Sequence, residues 1–469
     1  MDSSHSTSTT SNPPQQHSPS RNPPPISSDS TSTQIIDVDE IAISSIREKL
    51  SQTSHLPPPS QCSIFKVPDM LRRHNEKAFM PEVVSIGPFH PKNEQLQAME
   101  NIKVLYLKCL LDRPETTELE NLVKALGRIE QDCRKCYAGV VGLSVENFIE
   151  MMVIDGCFIL EFLSRYLENR MVLNVNGEKD PVFKTSWMPR KIIADLLLLE
   201  NQLPWCVLDC LFNHMPSLKT THQWCSRLDD LVSFSFSEYK TFPAAHSARS
   251  HEKHAHLLDC FRNCLVGSCT VKRRNYSEAL EGKPVLLPVT ELILHGIIHL
   301  KAKSRDNILD IKFKNGLMEI PEIVIEENTE SVFRNLIAFE HCDPAKGYEI
   351  TSYAALLDCL IKSPADALKL EQEGILRIIG LSNGDRASFL NRLLYNNDTS
   401  FHGFVYSDLC RDVNNFCFTR LGLWKARIRH DYFGEPWQVI TFLFGILASF
   451  LFSLVQTVFA VASYKDSNF

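Results

Sequence analysis

The sequence predicts a mainly α fold: a large multi-helix domain with a small antiparallel β element, plus one C-terminal transmembrane helix. Three observations carry this. Apolar residues cover whole helical turns through much of the 469-residue chain, one alternating stretch near residue 310 ends in a hairpin signal, and residues 439–462 contain no charge. The composition is globular, 44% hydrophobic and 22% charged, with a net charge of −7. That balance argues against nonspecific nucleic-acid binding, which needs a clustered positive surface. The basic group Lys272, Arg273 and Arg274 has no aromatic residues interleaved with it and reads as a solvated loop.

Taken in order, residues 1–34 are dominated by Ser, Thr, Pro, Asn and Gln, with Ile26 the only large aliphatic after Met1. They cannot bury enough apolar surface to offset their ordering entropy, so a disordered tail is expected. No basic and apolar leader opens the chain, so a signal peptide is not expected and the fifteen cysteines are read as reduced thiols. A domain is expected over 35–436. It starts with an amphipathic helix carrying Ile43, Ile46 and Leu50, which stops before "LPPP". "SVENFIEMMVIDGCFILEFLSRYL" has Ser144 as N-cap and apolar residues on nearly every face, the signature of a buried helix. A second buried helix is expected over 186–202, stopped by Pro204, and a third over 205–212. Residues 213–255 are polar and weakly periodic; they read as an irregular insertion and a partner-specific surface. "ILDIKF" alternates Leu309, Ile311 and Phe313 with Asp310 and Lys312, and Asn315-Gly316 supplies the turn. Pro321 confines the returning strand to an edge or bulge before "EIVIE". Asn328 is the expected cap of a helix over "TESVFRNLIAFEHC".

The transmembrane helix is placed at 437–464, before a short tail at 465–469. Its 24 uncharged residues would span roughly 36 Å against a hydrocarbon core of about 30 Å. Trp437 and Tyr464 flank the run as membrane-interface anchors. Lys425, Arg427 and Arg429 precede the span and only Lys465 follows it, so the positive-inside rule leaves the large N-terminal domain in the cytosol. The expectation is a single-pass, tail-anchored protein of the plasma membrane or the endoplasmic reticulum. The glycosylation acceptors Asn275 and Asn397 would matter only in the reverse orientation.

The chemistry-bearing residues concentrate in "DLLLLENQLPWCVLDCL". Glu130–Arg134 and Glu161–Arg165 have the spacing of ordinary surface ion pairs, and Asp195 has Lys191 one turn before it. Asp155 differs, because Met151, Met152, Phe158 and Ile159 surround it one turn away. Its charge needs an Arg or backbone donors from elsewhere. Asp155, Glu200, Asn201 and Gln202 are therefore the candidate buried polar network. The functional alternative makes Asp155 and Glu200 an acid–base pair in a helical pocket, with pKa values driven apart; the structural reading outweighs it. No metal site or cofactor is expected. Glu291, His295 and His299 lie at i, i+4 and i+8, but the carboxylate of such a stripe rarely reaches the ion that two histidines hold. "HEKHAH" at 251–256 has Ala255 where a zinc motif needs His, and Cys133–Cys136 is a lone CxxC. Phosphate-loop, nucleophile-elbow and kinase signatures are missing.

Six stretches in order resemble a known family: "AFMPEVVSIGPFH", "LQAMENIKVLYL", "MMVIDGCFILEFL", "DLLLLENQLPWCVL", "LDIKFKNGLMEIPEIVIEENTESVFRNLIAFE" and "ITSYAALLDCLI". The chain is similar over roughly residues 64–464 to the plant family known as domain of unknown function 247. The resemblance implies a plant membrane protein with a cytosolic helical domain. Some members of that family are associated with pollen self-recognition, which implies interaction rather than catalysis, and the family supplies no catalytic residues to transfer. A membrane-held interaction or signalling protein with an unidentified protein partner is the expectation; an enzyme using Asp155 and Glu200 is the alternative.

Overall fold

The computed structural model describes residues 38–53, 62–90, 96–113, 118–171, 180–221, 227–237, 253–267, 269, 286–295, 297–301, 307–380, 403–418 and 436–466. The stretch 1–34, the basic groups 272–274 and 425–429, Asn275 and Asn397 all lie outside the described residues. The chain divides into two units, residues 1–55 and 56–469. In the first, α1 (Val38–Thr53) is the helix that Ile43, Ile46 and Leu50 predict.

The second unit opens with one turn of helix, α2 (Asp69–Arg72), and a 3₁₀ turn, Glu76–Phe79. Then come α3 (Gln97–Leu111), α4 (Leu119–Gly127), α5 (Glu130–Lys135) and the 27-residue α6 (Val145–Met171). Next are α7 (Met188–Asp195), α8 (Trp205–Asn213), α9 (Pro216–Thr221), α10 (Leu228–Phe236), α11 (Leu257–Gly267) and α12 (Val289–Leu294). Strands β1 (Ile298–Lys301), β2 (Lys312–Lys314), β3 (Leu317–Ile320) and β4 (Ile323–Ile325) follow. The chain continues through α13 (Thr329–Cys342), α14 (Glu349–Leu360), α15 (Pro364–Gln372), β5 (Leu376–Ile378), α16 (Ser407–Phe418) and α17 (Pro436–Asp466).

Helix α6 is the hub. The Ser144 hydroxyl accepts the Asn147 amide at 3.2 Å, which is the expected cap. From Met152 to Leu167 only Ile154 and Arg165 are other than buried, and α3, α4, α8 and α10 pack around the helix. A side chain at Gly156 would run into Leu211 and touch Val207 and Leu203, so glycine is what lets α8 come close.

The hairpin forms as the alternation predicts. β2 pairs antiparallel with β3, and Asn315 and Gly316 both adopt positive φ, 52° and 83°, as a type I′ turn requires. The sheet is larger than the sequence indicates: β1 joins β3 in parallel, giving the order β1-β3-β2. Pro321 ends β3, and the buried β4 pairs in parallel with β5, more than fifty residues later in the chain.

Two expectations about elements are corrected. The helix expected over 186–202 stops at Asp195, for reasons given below. The expected insertion at 213–255 contains α9 and α10, and Leu228, Leu231, Val232 and Phe236 of α10 are buried against α6 and α11. Residues 222–226 and 238–252 of that stretch lie outside the described residues. Helix α13 begins where Asn328 places it, with Asn328 as its N-cap residue, but the Asn328 side chain makes no cap bond: its Oδ1 accepts the Lys191 ammonium at 3.2 Å.

At the other end, Ile440–Ala460 within α17 is apolar and long enough, at 21 residues, to cross a bilayer, and none of it is buried. Trp437 and Tyr464 fall in the first and last turns of α17.

Candidate functional site

The candidate network assembles around residues 82–87, a non-helical stretch whose Val84 and Ile86 are fully buried. Buried backbone amides need partners, and among the described residues no neighbouring strand provides them. Side chains do so instead. Asp195 accepts the amides of Glu82, Val83 and Val84 at 3.0, 2.7 and 2.9 Å. Asn201 accepts the Ile86 amide at 2.6 Å and returns its own amide to the Val84 carbonyl at 3.0 Å. Asp155 accepts the Gly87 amide at 2.9 Å, and the Lys103 ammonium donates to the Ser85 carbonyl. Four side chains from α3, α6, α7 and the loop after it thus strap one buried segment in place.

The same interactions explain why α7 stops early. In a continued helix the Asp195 carbonyl would accept the Leu199 amide. Asn201 takes that carbonyl at 2.9 Å, while Asn335 of α13 takes the Leu199 amide at 2.8 Å. Gln202 takes the Leu196 and Leu198 carbonyls, both at 2.8 Å, and accepts the Leu258 amide at 3.2 Å. Residues 196–204 are therefore a buried loop held by its own Asn and Gln. The sequence marks these polar residues as a buried network, but within a helix expected over 186–202 that instead stops at Asp195.

Asp155 and Glu200 each have a cation of their own. The Asp155 carboxylate meets Lys103 at 2.8 Å in place of the expected Arg, while the Gly87 amide is the expected backbone donor. Lys103 is 2% exposed in its side chain and also meets Glu100 at 2.7 Å. Burial works against the Lys103 charge, but Asp155 and Glu100 outweigh it and hold its pKa above the ordinary value. Burial pushes the Asp155 carboxyl up, against the pull of Lys103 and of the Gly87 amide. Each Asp155 oxygen accepts from a donor, an arrangement that suits the ionised form, so the pair is ionic. Glu200 accepts the Val67 amide at 2.7 Å and pairs with Arg72 at 2.5 Å. The acid–base pair of the alternative reading is thus split between two separate partners. A cleft of about 150 Å³ between the Glu76–Phe79 turn, α7 and the start of α13 is lined by Asp195, Lys191 and Glu82 but by neither Asp155 nor Glu200. Lys191 does not pair with Asp195 as its spacing predicts; it bridges Glu82 and Glu327, both at 3.0 Å.

The two ion pairs expected on the surface are also inside. Glu161 is fully buried and meets both Arg165 at 2.7 Å and Arg113 at 2.8 Å. Arg165 continues to Asp180 at 2.6 Å, which accepts the Tyr106 hydroxyl at 2.9 Å. Glu130, 5% exposed, pairs with Arg134. A further network has no counterpart in the sequence reading. Arg262, fully buried, binds Glu340 at 2.6 Å and Glu349 at 2.5 Å, while Glu340 accepts the Ile350 and Thr351 amides at the start of α14. Lys103 did leave a signal: Met99, Lys103, Tyr106 and Leu110 form the buried stripe of α3, and a lysine on such a stripe needs a buried acid.

The metal candidates dissolve on geometric grounds. Helix α12 ends at Leu294 and His299 lies in β1, so Glu291, His295 and His299 do not share one helix face. His256 of "HEKHAH" is buried with Nε2 3.0 Å from the Ser63 carbonyl; residues 251–252 lie outside the described residues. No group of three His, Cys, Asp or Glu among the described residues is placed to hold a metal ion. Cys133 and Cys136 do acquire a third thiol, Cys206, whose Sγ lies 3.6 Å from that of Cys133.

Residues 64–451 match the family model of a plant protein of unknown function, DUF247. The chain is 30% identical over 440 residues to UPF0481 protein At3g47200 of Arabidopsis thaliana, covering 87% of this chain and 88% of that one. It is 22% identical over 480 residues to Putative UPF0481 protein At3g02645 of the same plant, covering 84% and 89%. No solved structure matches it. The strap joins four of the stretches that carry the likeness, "AFMPEVVSIGPFH", "LQAMENIKVLYL", "MMVIDGCFILEFL" and "DLLLLENQLPWCVL", and the family match runs from the edge of that core into the apolar C-terminal helix: the chain belongs to the DUF247 family of plant proteins.

Proposed function

We propose that the protein is a membrane-held interaction component, its helical domain on the cytosolic side of a single span. The exposed apolar segment Ile440–Ala460 carries the reading, because 21 such residues cannot stay in water without a cover. Lys425, Arg427 and Arg429 before the span, against Lys465 after it, support the cytosolic placement. The pairing of Asp155 with Lys103 and of Glu200 with Arg72 supports interaction over catalysis, since each carboxylate is occupied within the fold. The partner surface is not assigned to 213–255, because α10 is part of the core.

Microsomes carrying the full chain, tagged at both ends, test the placement. We expect carbonate-resistant membrane association, lost when 437–464 are deleted, a protease-sensitive N-terminal tag, and no glycan at Asn275 or Asn397. A protected N-terminal tag with glycans present reverses the orientation. Carbonate-extractable full-length chain removes the span altogether. Proximity labelling from the membrane-held chain, compared with the deletion variant, then tests for a specific protein partner; identical labelling by both counts against one.

A further inference from the structure

Three thiols lie together where Cys133 of α5 faces Cys206 of α8. Cys206 is the second residue of α8, directly after Pro204 and Trp205, and is exposed. Cys133 of α5 is fully buried, with its Sγ 3.6 Å from the Cys206 Sγ; Cys136, directly after α5, lies close to Cys206 and donates its thiol to the Asp132 carbonyl at 3.4 Å. A disulfide has an S–S length of about 2.05 Å, so closure asks for roughly 1.5 Å of movement, within the range of side-chain rotation. The electrostatics separate the roles. The contact with Cys133 and the nearby Cys136 thiol, together with the first-turn amides of Cys206 and Val207, hold the Cys206 pKa well below the ordinary thiol range. The hydrogen bond to Cys206 and burial push the Cys133 thiol up.

We infer that Cys206 is a hydroperoxide-sensitive thiol that forms a disulfide with the Cys133–Cys136 pair and so joins α8 to α5. Its two steps balance. The Cys206 thiolate attacks the terminal peroxide oxygen, the O–O bond breaks, and the departing alkoxide or hydroxide takes a proton from water, leaving a sulfenic acid. A thiol of the pair then attacks the Cys206 sulfur, the S–O bond breaks, and hydroxide leaves as water with the proton of that thiol. Sulfur loses two electrons overall and the peroxide gains them. The link would close beside the buried loop, because the Tyr137 hydroxyl, directly after Cys136, donates to the Gln202 carbonyl at 3.1 Å. Oxidation thus stiffens the loop that carries the strap.

The test uses the full chain, reduced in detergent, treated with hydrogen peroxide, alkylated and mapped by mass spectrometry. We expect a dithiothreitol-sensitive peptide linking Cys206 to Cys133 or Cys136, a raised melting temperature of the oxidised form, and neither in Cys206→Ser. Because Cys206 is exposed, that variant should melt with the reduced parent. Iodoacetamide at pH 6 should label Cys206 on the order of tenfold or more faster than Cys62, whose thiol burial pushes up. Sulfinic acid at Cys206 with no cross-link, Cys206 left unmodified, or the same loss of Cys133 and Cys136 thiols in Cys206→Ser would each overturn the inference.

Discussion

Lys103 and Asp155 are held 2.8 Å apart with almost no access to water, and Glu100, one turn from Lys103 on the same helix, meets the same ammonium at 2.7 Å. Removing one partner from such a pair leaves a buried charge without compensation, which typically costs about 3–5 kcal/mol. Lys103→Met should therefore lower stability by about that amount, read from urea unfolding followed by circular dichroism. The double variant Lys103→Met, Asp155→Leu should recover part of the loss, although the Ser85 carbonyl and the Gly87 amide would still lack partners. A double variant no more stable than Lys103→Met would show that the backbone contacts, rather than the charge, dominate. Half of this pair is legible in the sequence: Asp155 stands out because its one-turn neighbours are all apolar. Its partner lies 52 residues away, and helical spacing carries no information about which distant cation arrives.

Among elements, the strap decides where helices stop. The four leucines after Asp195 have the pattern of a continuing helix, and propensity alone would extend α7 to Pro204. What prevails is a set of side-chain bonds to backbone carbonyls, from Asn201 and Gln202, supplied only when 82–87 and α13 are in place. That competition is tertiary and lies outside any local window, whereas the Ser144 cap and the Asn315-Gly316 turn are local and legible in the sequence. Gly87 shows how tight the strapped segment is. Its φ is +74°, and a Cβ there would stand 2.6 Å from the Gln202 carbonyl oxygen. Gly87→Ala meets both a left-handed backbone and a backbone clash, so a loss of roughly 2–4 kcal/mol is expected. Equilibrium unfolding checks this. Loss within 0.5 kcal/mol would mean that 82–87 shifts freely and is not strapped.

For the whole molecule, His256 ties the start of the second unit to its centre. Its Nε2 donates to the Ser63 carbonyl at 3.0 Å, its Nδ1 accepts the Asp259 amide at 3.3 Å, and its ring packs edge-on to Phe339 at 4.8 Å. Only the neutral ring satisfies both contacts, since a second proton would face the Asp259 amide. Burial lowers its pKa to about 4, against the opposing pull of Asp259. A folded pKa below the unfolded value near 6.5 means that the unfolded chain binds the proton first. The stability His256 contributes is complete above about pH 6.5 and is lost as pH falls toward 4, about 3 kcal/mol in all. Urea midpoints should drop between pH 7 and pH 4.5, and less steeply in His256→Asn; equal slopes would assign the acid sensitivity to other groups.

The strap also dictates a timetable for synthesis. The amides of 82–84 wait for an aspartate 111–113 residues downstream, and the Ala78 carbonyl waits for Ser331 and Asn335, 253 and 257 residues later. A ribosome releasing this chain N-terminus first thus holds the opening segments without their partners through most of translation. Nascent chains shorter than about 340 residues should remain protease-sensitive throughout, and protection should arrive late and all at once, when α13 emerges and the long loops close.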